Sequence, residues 1–228
     1  MDSKVLILPA AGSGSRMSLE VPKPYLEIAG RTILEHTLRR FLQLEGLVRV
    51  VVAASPERMK QARAILDHAL PGSLAATVVE GGDERQHSIR NALVEAGDAE
   101  LVLVHDAVRP FVTPAQIDAC CRTAADCGGA VLGVPARDTI KRTGKGRRIV
   151  ETPSRRELWQ AQTPQVFRRE LLVRAYEQAR EEHFTGTDDA SLVERAGGEV
   201  RMVEGSRENF KITYPLDLKL ARLLLEEH

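Results

Sequence analysis

Residues 8 to 17 read LPAAGSGSRM. The stretch follows the apolar run Val5 to Leu8 and crowds two glycines, two serines and an arginine into a few positions. Glycines let the backbone approach a phosphate closely, and consecutive N–H groups then bind its oxygens. Arg16, and Lys23 within VPKPY, put two cations on the same loop. Pro22 and Pro24 restrict how that segment bends. A loop of this design can neutralise a pyrophosphate leaving group. It is not the dinucleotide fingerprint, because Met17 stands where the third glycine is needed. Nor is it a Walker A loop, because Gly14 is followed by Ser15 and Arg16 rather than by Lys and Ser or Thr.

Asp106 closes the apolar run VLVHDA. A carboxylate just beyond the edge of a buried strand can hold a divalent cation. His105 beside it reads as structural, since Mg²⁺ prefers oxygen. GGDERQHS (81–88) reads as a turn and a helix start, with Asp83 favoured by the helix dipole. Nothing in the chain makes a convincing Ser/His/Asp or Cys/His set. The chemistry offered is charge neutralisation rather than nucleophilic catalysis by a side chain.

Elements that could position these groups alternate along the chain. KVLILPA is apolar without alternation, as expected of a strand buried on both faces. A helix is expected from Thr32 to Gly46, opened by a Thr32/Glu35 capping box. Strand VRVVVAAS, helix 56–70, strand ATVVEGG, helix 84–97 and strand ELVLVHDA follow. Next come helix 114–127, capped by Thr113 with Pro114 in its first turn, and strand GAVLGVPA. Helices 168–182 and 188–196, strand EVRMVEG and a helix opened by Pro215 complete the chain. This alternation predicts one α/β domain over 1–228, with a mostly parallel sheet covered on both faces. Ligands of such sheets bind beyond the carboxyl ends of the strands, which singles out loops 9–25, 81–88 and 106–111. The alternation breaks at 136–158, read as an inserted hairpin arm. Between Arg137 and Arg148 it carries six cationic residues against Asp138.

Composition excludes several classes. Lys+Arg and Asp+Glu both number 32, a balance unsuited to a dedicated nucleic-acid or membrane-surface protein. Only 4% of residues are aromatic, against a stacking surface for single strands. No apolar run approaches the ~20 residues of a membrane span, and the first twelve residues read as a buried strand rather than a signal peptide. Cys120, Cys121 and Cys127 form neither a disulfide framework nor a zinc spacing, so they are expected to be small core residues in a reducing cytoplasm.

Seven motifs occur in order: PAAGSGSRM…PK, GGDERQHSIRNAL, VLVHDAVRP, PARDTIKR, LWQAQTPQVF, TDDASLVE and VEGSRENFKIT. The first resembles the nucleotide-binding loop of sugar-nucleotide pyrophosphorylases, nucleotidyltransferases of a Rossmann-like, glycosyltransferase-A-like fold. Together the seven resemble the 2-C-methyl-D-erythritol 4-phosphate cytidylyltransferase family, from about residue 4 to the last helix. Pro24 follows Lys23 where that family commonly has Gln. The resemblance implies transfer of CMP from CTP to a polyol phosphate, with Mg²⁺ held by Asp106. It assigns Arg16 and Lys23 to the transition state. Ala10, Ala11, Gly12, Gly82, Asp83, Ser88, Asp106 and Ala107 are assigned to the nucleotide. Arg155, Lys211, Arg109, Thr139, Thr163 and Thr187 are assigned to the acceptor. Arg156 adjoins Arg155, but the spacing RxxLW favours Arg155. The resemblance further implies a homodimer whose arm residues complete the partner's site. A sister enzyme for ribitol 5-phosphate would share the motifs and differ in the acceptor pocket.

Overall fold

The computed structural model describes residues 2–12 and 21–226. Its centre is a seven-stranded sheet. In chain order the strands are β1 (Lys4–Pro9), β2 (Glu27–Ile28), β3 (Arg31–Thr32), β4 (Leu47–Ala54), β5 (Ala75–Glu80), β6 (Leu101–Val104) and β7 (Gly129–Pro135). They continue with β8 (Arg142–Thr143), β9 (Ile149–Glu151), β10 (Trp159–Arg168) and β11 (Arg201–Glu204). The helices are α1 (Ile33–Arg39), α2 (Met59–Ala69), α3 (Arg85–Leu93), α4 (Pro114–Cys127), α5 (Arg169–Glu181), α6 (Asp189–Arg195) and α7 (Pro215–Glu226). The large sheet runs β11-β7-β10-β6-β1-β4-β5. Every neighbouring pair is parallel except those of β10, which is antiparallel to both β6 and β7.

Strand side chains alternate between faces, so β1 feeds two cores. Leu6 and Leu8 join Leu34, Leu38, Leu66 and Ile117 from α1, α2 and α4. Val5 and Ile7 join Ile89, Leu172 and Val193 from α3, α5 and α6. This is why β1 lacks polar alternation: both its faces are covered. Cys120 and Cys121 are buried free thiols, and burial pushes each up to about 12.

Two expectations need correction. The first helix ends at Arg39, and the chain turns through residues 40–46 before β4. Thr32 Oγ1 does accept from Glu35 N (3.2 Å), but the buried Glu35 carboxylate pairs with Arg31 and Arg39. The second correction is larger. WQAQTPQVFR (Trp159–Arg168) forms a ten-residue strand in the middle of the sheet, where no strand is predicted. Its glutamines, threonine and proline do not look like a buried strand, yet Gln162, Thr163 and Gln165 are buried. Between Ala161 and Gln165 the pairing with β7 slips, and Gln162 to Pro164 leave that ladder.

Between β7 and β10 the chain makes an excursion through β8 and β9. Its β8 and β9 pair only with each other, and residues 137–152 are all exposed.

Gln165 ties the polar strand to α6. Its Nε2 donates to Asp188 Oδ2 (2.8 Å) and its Oε1 accepts from Ala190 N (3.0 Å). Gln165→Leu keeps the volume and leaves the Ala190 N–H without that partner. We expect a loss of about 1–3 kcal/mol, read as a lower urea midpoint at unchanged slope. An unchanged midpoint would show that the tie contributes nothing.

Candidate active site

The carboxyl ends of β1, β5 and β6 deliver three loops to one edge of the sheet. Backbone bonds fix their departure: Ala10 N donates to Ala53 O (2.7 Å), Gly81 N to Ala54 O (2.8 Å) and His105 N to Ile7 O (3.0 Å). The first and second loops touch, so that a Cβ at Gly81 would run into the methyl of Ala11. Between them opens a cleft of about 530 Å³, lined by Ala10, Ala11, Gly12, Lys23, Gly82 and Asp83, among others. Its size is that of a small-ligand site.

Asp106 stands at the end of this cleft and is only 6% exposed. Its carboxylate faces Lys211 Nζ at 3.1 Å, Arg109 Nε at 3.2 Å and Arg85 Nε at 3.4 Å. Burial alone would raise its pKa. Lys211, Arg85 and Arg109 outweigh burial and hold the carboxyl well below the usual carboxylate range. The backbone N–H of Asp106 donates to Thr163 Oγ1 (3.0 Å), which fixes the residue from below.

A second cavity of about 290 Å³ lies beyond the same carboxylate. Arg109, Gln162, Thr163, Thr187 and Asp188 line it, and it shares Arg85, Asp106 and Lys211 with the first cleft. Behind it runs a buried polar relay. Arg85 Nη2 donates to Asp189 Oδ2 (2.8 Å), and Tyr176 Oη donates to Asp189 Oδ1 (2.5 Å). Burial, and then the Asp189 charge, push the Tyr176 phenol well above its ordinary value. Arg109 is also held by Asn209 O (2.7 Å), and Asn209 Nδ2 donates to Thr163 O (2.9 Å).

Most of the residues singled out in the sequence meet here. Lys23 is buried, and its ammonium donates to Thr213 O (3.0 Å). Ser88 Oγ accepts from Gly82 N (3.1 Å), so the hydroxyl shapes the glycine turn. Ala107 is buried beside Asp106, and its carbonyl accepts from Thr37 Oγ1 (3.0 Å). His105 is structural: it packs edge-on against Phe41 at 4.9 Å, and burial pushes it down to about 4. Thr139 and Arg155 line neither cavity of their own chain. Both lie on the exposed arm, where Arg155 Nη1 donates to Arg137 O (2.7 Å). Arg16 lies outside the described residues.

Arg85, Asp189 and Tyr176 were not singled out in the sequence. Arg85 stands inside GGDERQHS, just past the glycine turn and Asp83–Glu84, so its place at the helix start was a usable signal. Nothing local marks Tyr176, which reaches the site only through the packing of α5 on α6.

The donor set fits a divalent cation in one mode only. Among the described residues no group of three or more His, Cys, Asp or Glu could hold a metal ion. Mg²⁺ is commonly held by one or two carboxylates together with substrate phosphates. A single ionised carboxylate between two cavities fits that mode and not an all-protein cage.

Comparisons with known proteins agree with this geometry. The family model described as IspD, 2-C-methyl-D-erythritol 4-phosphate cytidylyltransferase, matches residues 4–227. The chain is 50% identical over 223 residues to the 2-C-methyl-D-erythritol 4-phosphate cytidylyltransferase of Aeromonas hydrophila, covering 97% of this chain and 89% of that one. Against the crystal structure of the enzyme of the same name from Thermus thermophilus the TM-score is 0.79 at 37% identity, over 99% of this chain and 100% of that one. Against the 4-diphosphocytidyl-2C-methyl-D-erythritol synthase of Anaerococcus prevotii it is 0.88 at 28% identity, over 99% and 96%. With the model matching nearly the whole length, the chain belongs to the 2-C-methyl-D-erythritol 4-phosphate cytidylyltransferase family.

Proposed function

We propose that this cytidylyltransferase of the non-mevalonate isoprenoid pathway joins its substrates at the wall shared by the two cavities. The larger cleft takes CTP, and the smaller takes 2-C-methyl-D-erythritol 4-phosphate. A phosphate oxygen of the acceptor attacks the α-phosphorus of CTP. One P–O bond forms, the bond to the bridging oxygen breaks, and pyrophosphate leaves with that electron pair. The product is 4-diphosphocytidyl-2-C-methyl-D-erythritol. The observation that carries this reading is the sharing of Arg85, Asp106 and Lys211 by both cavities.

The acceptor is already an anion near neutral pH, since the second pKa of a phosphate monoester is ~6. No side chain need remove a proton. Arg109 and Lys211, now on Asp106, turn to the acceptor phosphate when it enters. Lys23, with Arg16, neutralises the departing pyrophosphate. Backbone at Ala10, Ala11 and Gly12 approaches the triphosphate, while Gly82 and Asp83 accept from the cytosine amine. Asp106 would hold Mg²⁺, which when bound supplies charge neutralisation at the phosphates. The protein acts in the cytoplasm, a reading supported by its three free cysteines. It works as a homodimer, with Thr139 and Arg155 serving the partner's acceptor pocket. Their exposure on an arm that stands clear of its own chain's cavities supports this.

Asp106→Asn removes the charge and little volume. We expect turnover to fall by about 10²–10³ or more with the circular-dichroism spectrum unchanged, because Arg85 and Lys211 still reach solvent. A near-normal rate at limiting Mg²⁺ would remove Asp106 from the mechanism.

The depressed Asp106 pKa means that its charge is present above the ordinary carboxylate range and is lost only on strong acidification. The acid limb of the rate profile should therefore belong to the acceptor, near pH ~6. A phosphonate analogue of the acceptor, which ionises at higher pH, should move that limb upward. A limb that stays in place would point to a protein group.

Arg155→Ala and Asp106→Asn proteins, each inactive, can be mixed and allowed to exchange subunits. A mixed dimer has one site with both defects and one with neither, so activity should return. Exchange confirmed by mass spectrometry without recovery would place Arg155 in its own chain's site.

A further inference from the structure

Away from the two cavities of the active site, a groove runs between α3 and α5. Its smaller end, about 230 Å³, is lined by His87, Arg90, Tyr176, Arg180 and His183, and no carboxylate among the described residues lines it. The side chains of Arg90 and Arg180 make no ion pair or hydrogen bond among the described residues. Two guanidiniums lining one space can each give an anion charge-assisted hydrogen bonds.

Arg90, Tyr176 and Arg180 also border an adjoining cavity of about 490 Å³. Its other walls include the apolar Leu93, Val94 and Val173 and the acidic Glu177. Val94 is 80% exposed, so an apolar surface lies open beside the cationic end. Arg169 also lines it, and its Nε is buried without a hydrogen-bond partner among the described residues. Neither cavity shares a lining residue with the active-site cavities. Cationic walls at one end and apolar walls at the other suit an amphiphilic anion.

We propose that this groove binds an alkyl diphosphate, with the diphosphate between Arg90 and Arg180 and the alkyl chain along Leu93, Val94 and Val173. The occupant touches Tyr176, one side chain away from the Asp189–Arg85–Asp106 relay.

Isothermal titration tests it. The protein is first saturated with its cytidine diphosphate product, in a chelator so that no turnover occurs, which fills the active site. Isopentyl diphosphate and methyl diphosphate are then titrated in turn. Both should bind at one site per chain, and isopentyl diphosphate roughly tenfold more tightly because of its apolar carbons. In the double variant Arg90→Gln/Arg180→Gln, affinity for either should fall at least about tenfold. Both arginines are exposed, so the variant should fold and transfer cytidylyl groups at the wild-type rate. No binding to the product-saturated protein would overturn the proposal. So would equal affinity for the two probes, or unchanged affinity in the double variant. Should the product fail to saturate the active site, the wild type would show an additional site for each probe. The double variant would then lose only the groove site, which separates failure of the active-site reading from failure of this one.

Discussion

A carboxylate almost withdrawn from water is costly unless its charge is compensated. Asp106 is compensated three times, and each cation arrives on a different piece of chain. Arg85 begins α3, Arg109 lies in the turn after β6, and Lys211 precedes α7. The three segments must therefore close around the end of β6 for that charge to be tolerated there. Arg85 carries the constraint further, because its guanidinium also meets the buried Asp189 at the start of α6. Tyr176 of α5 completes the set. One ionised group thus relates α3, α5, α6 and the loops at the carboxyl edge of the sheet. It also gathers three cationic side chains at that edge of the sheet.

The polar strand β10 is the second half of this arrangement. A central strand is normally apolar, and its buried polar groups must find partners. Here they do so by building the site's floor. Thr163 Oγ1 accepts from the Asp106 backbone, Gln165 binds the start of α6, and Gln162 Nε2 donates to Ser206 O (2.9 Å). Because β10 is antiparallel, its residues 162–164 pass beyond the end of β6 to the edge where the parallel strands deliver their loops. A parallel strand in this place would reach that edge with its last residues and continue away in a loop.

The arm contrasts with both. Its two short strands hold together through backbone pairing, the Arg142–Glu151 ion pair (2.7 Å) and Lys141 Nζ to Thr152 Oγ1 (2.9 Å). Exposed ion pairs of this kind contribute little, and an isolated hairpin is marginal in water. Ile140, Ile149 and Val150 stay exposed along it. Such a segment gains most from a surface outside its own chain, which is the physical basis for the dimer proposed above.

Much of this was legible in the amino-acid sequence, for reasons that are local. Apolar runs without alternation marked β1, β4, β6 and β7, because both sheet faces are covered. Helix α4 was legible to its ends, since Thr113 caps it with Gln116 and Gly128 closes it. The three loops beyond the strand ends, and Asp106 among them, followed from the same alternation. What the sequence could not show depends on partners distant along the chain. Gln165 lies 23 residues from Asp188, so β10 becomes a strand only once those partners are in place. Arg85 lies 104 residues from Asp189 and Tyr176 13 residues before it, and their relay exists only when α5 and α6 pack together. The early end of α1 is of the same kind, since Phe41 and Leu44 turn inward to the core that forms around β1 and β4. Apolar periodicity and capping act within a few residues and so are written in order along the chain. The pairing of buried charges and amides is decided only where the folded chain brings them together and excludes water.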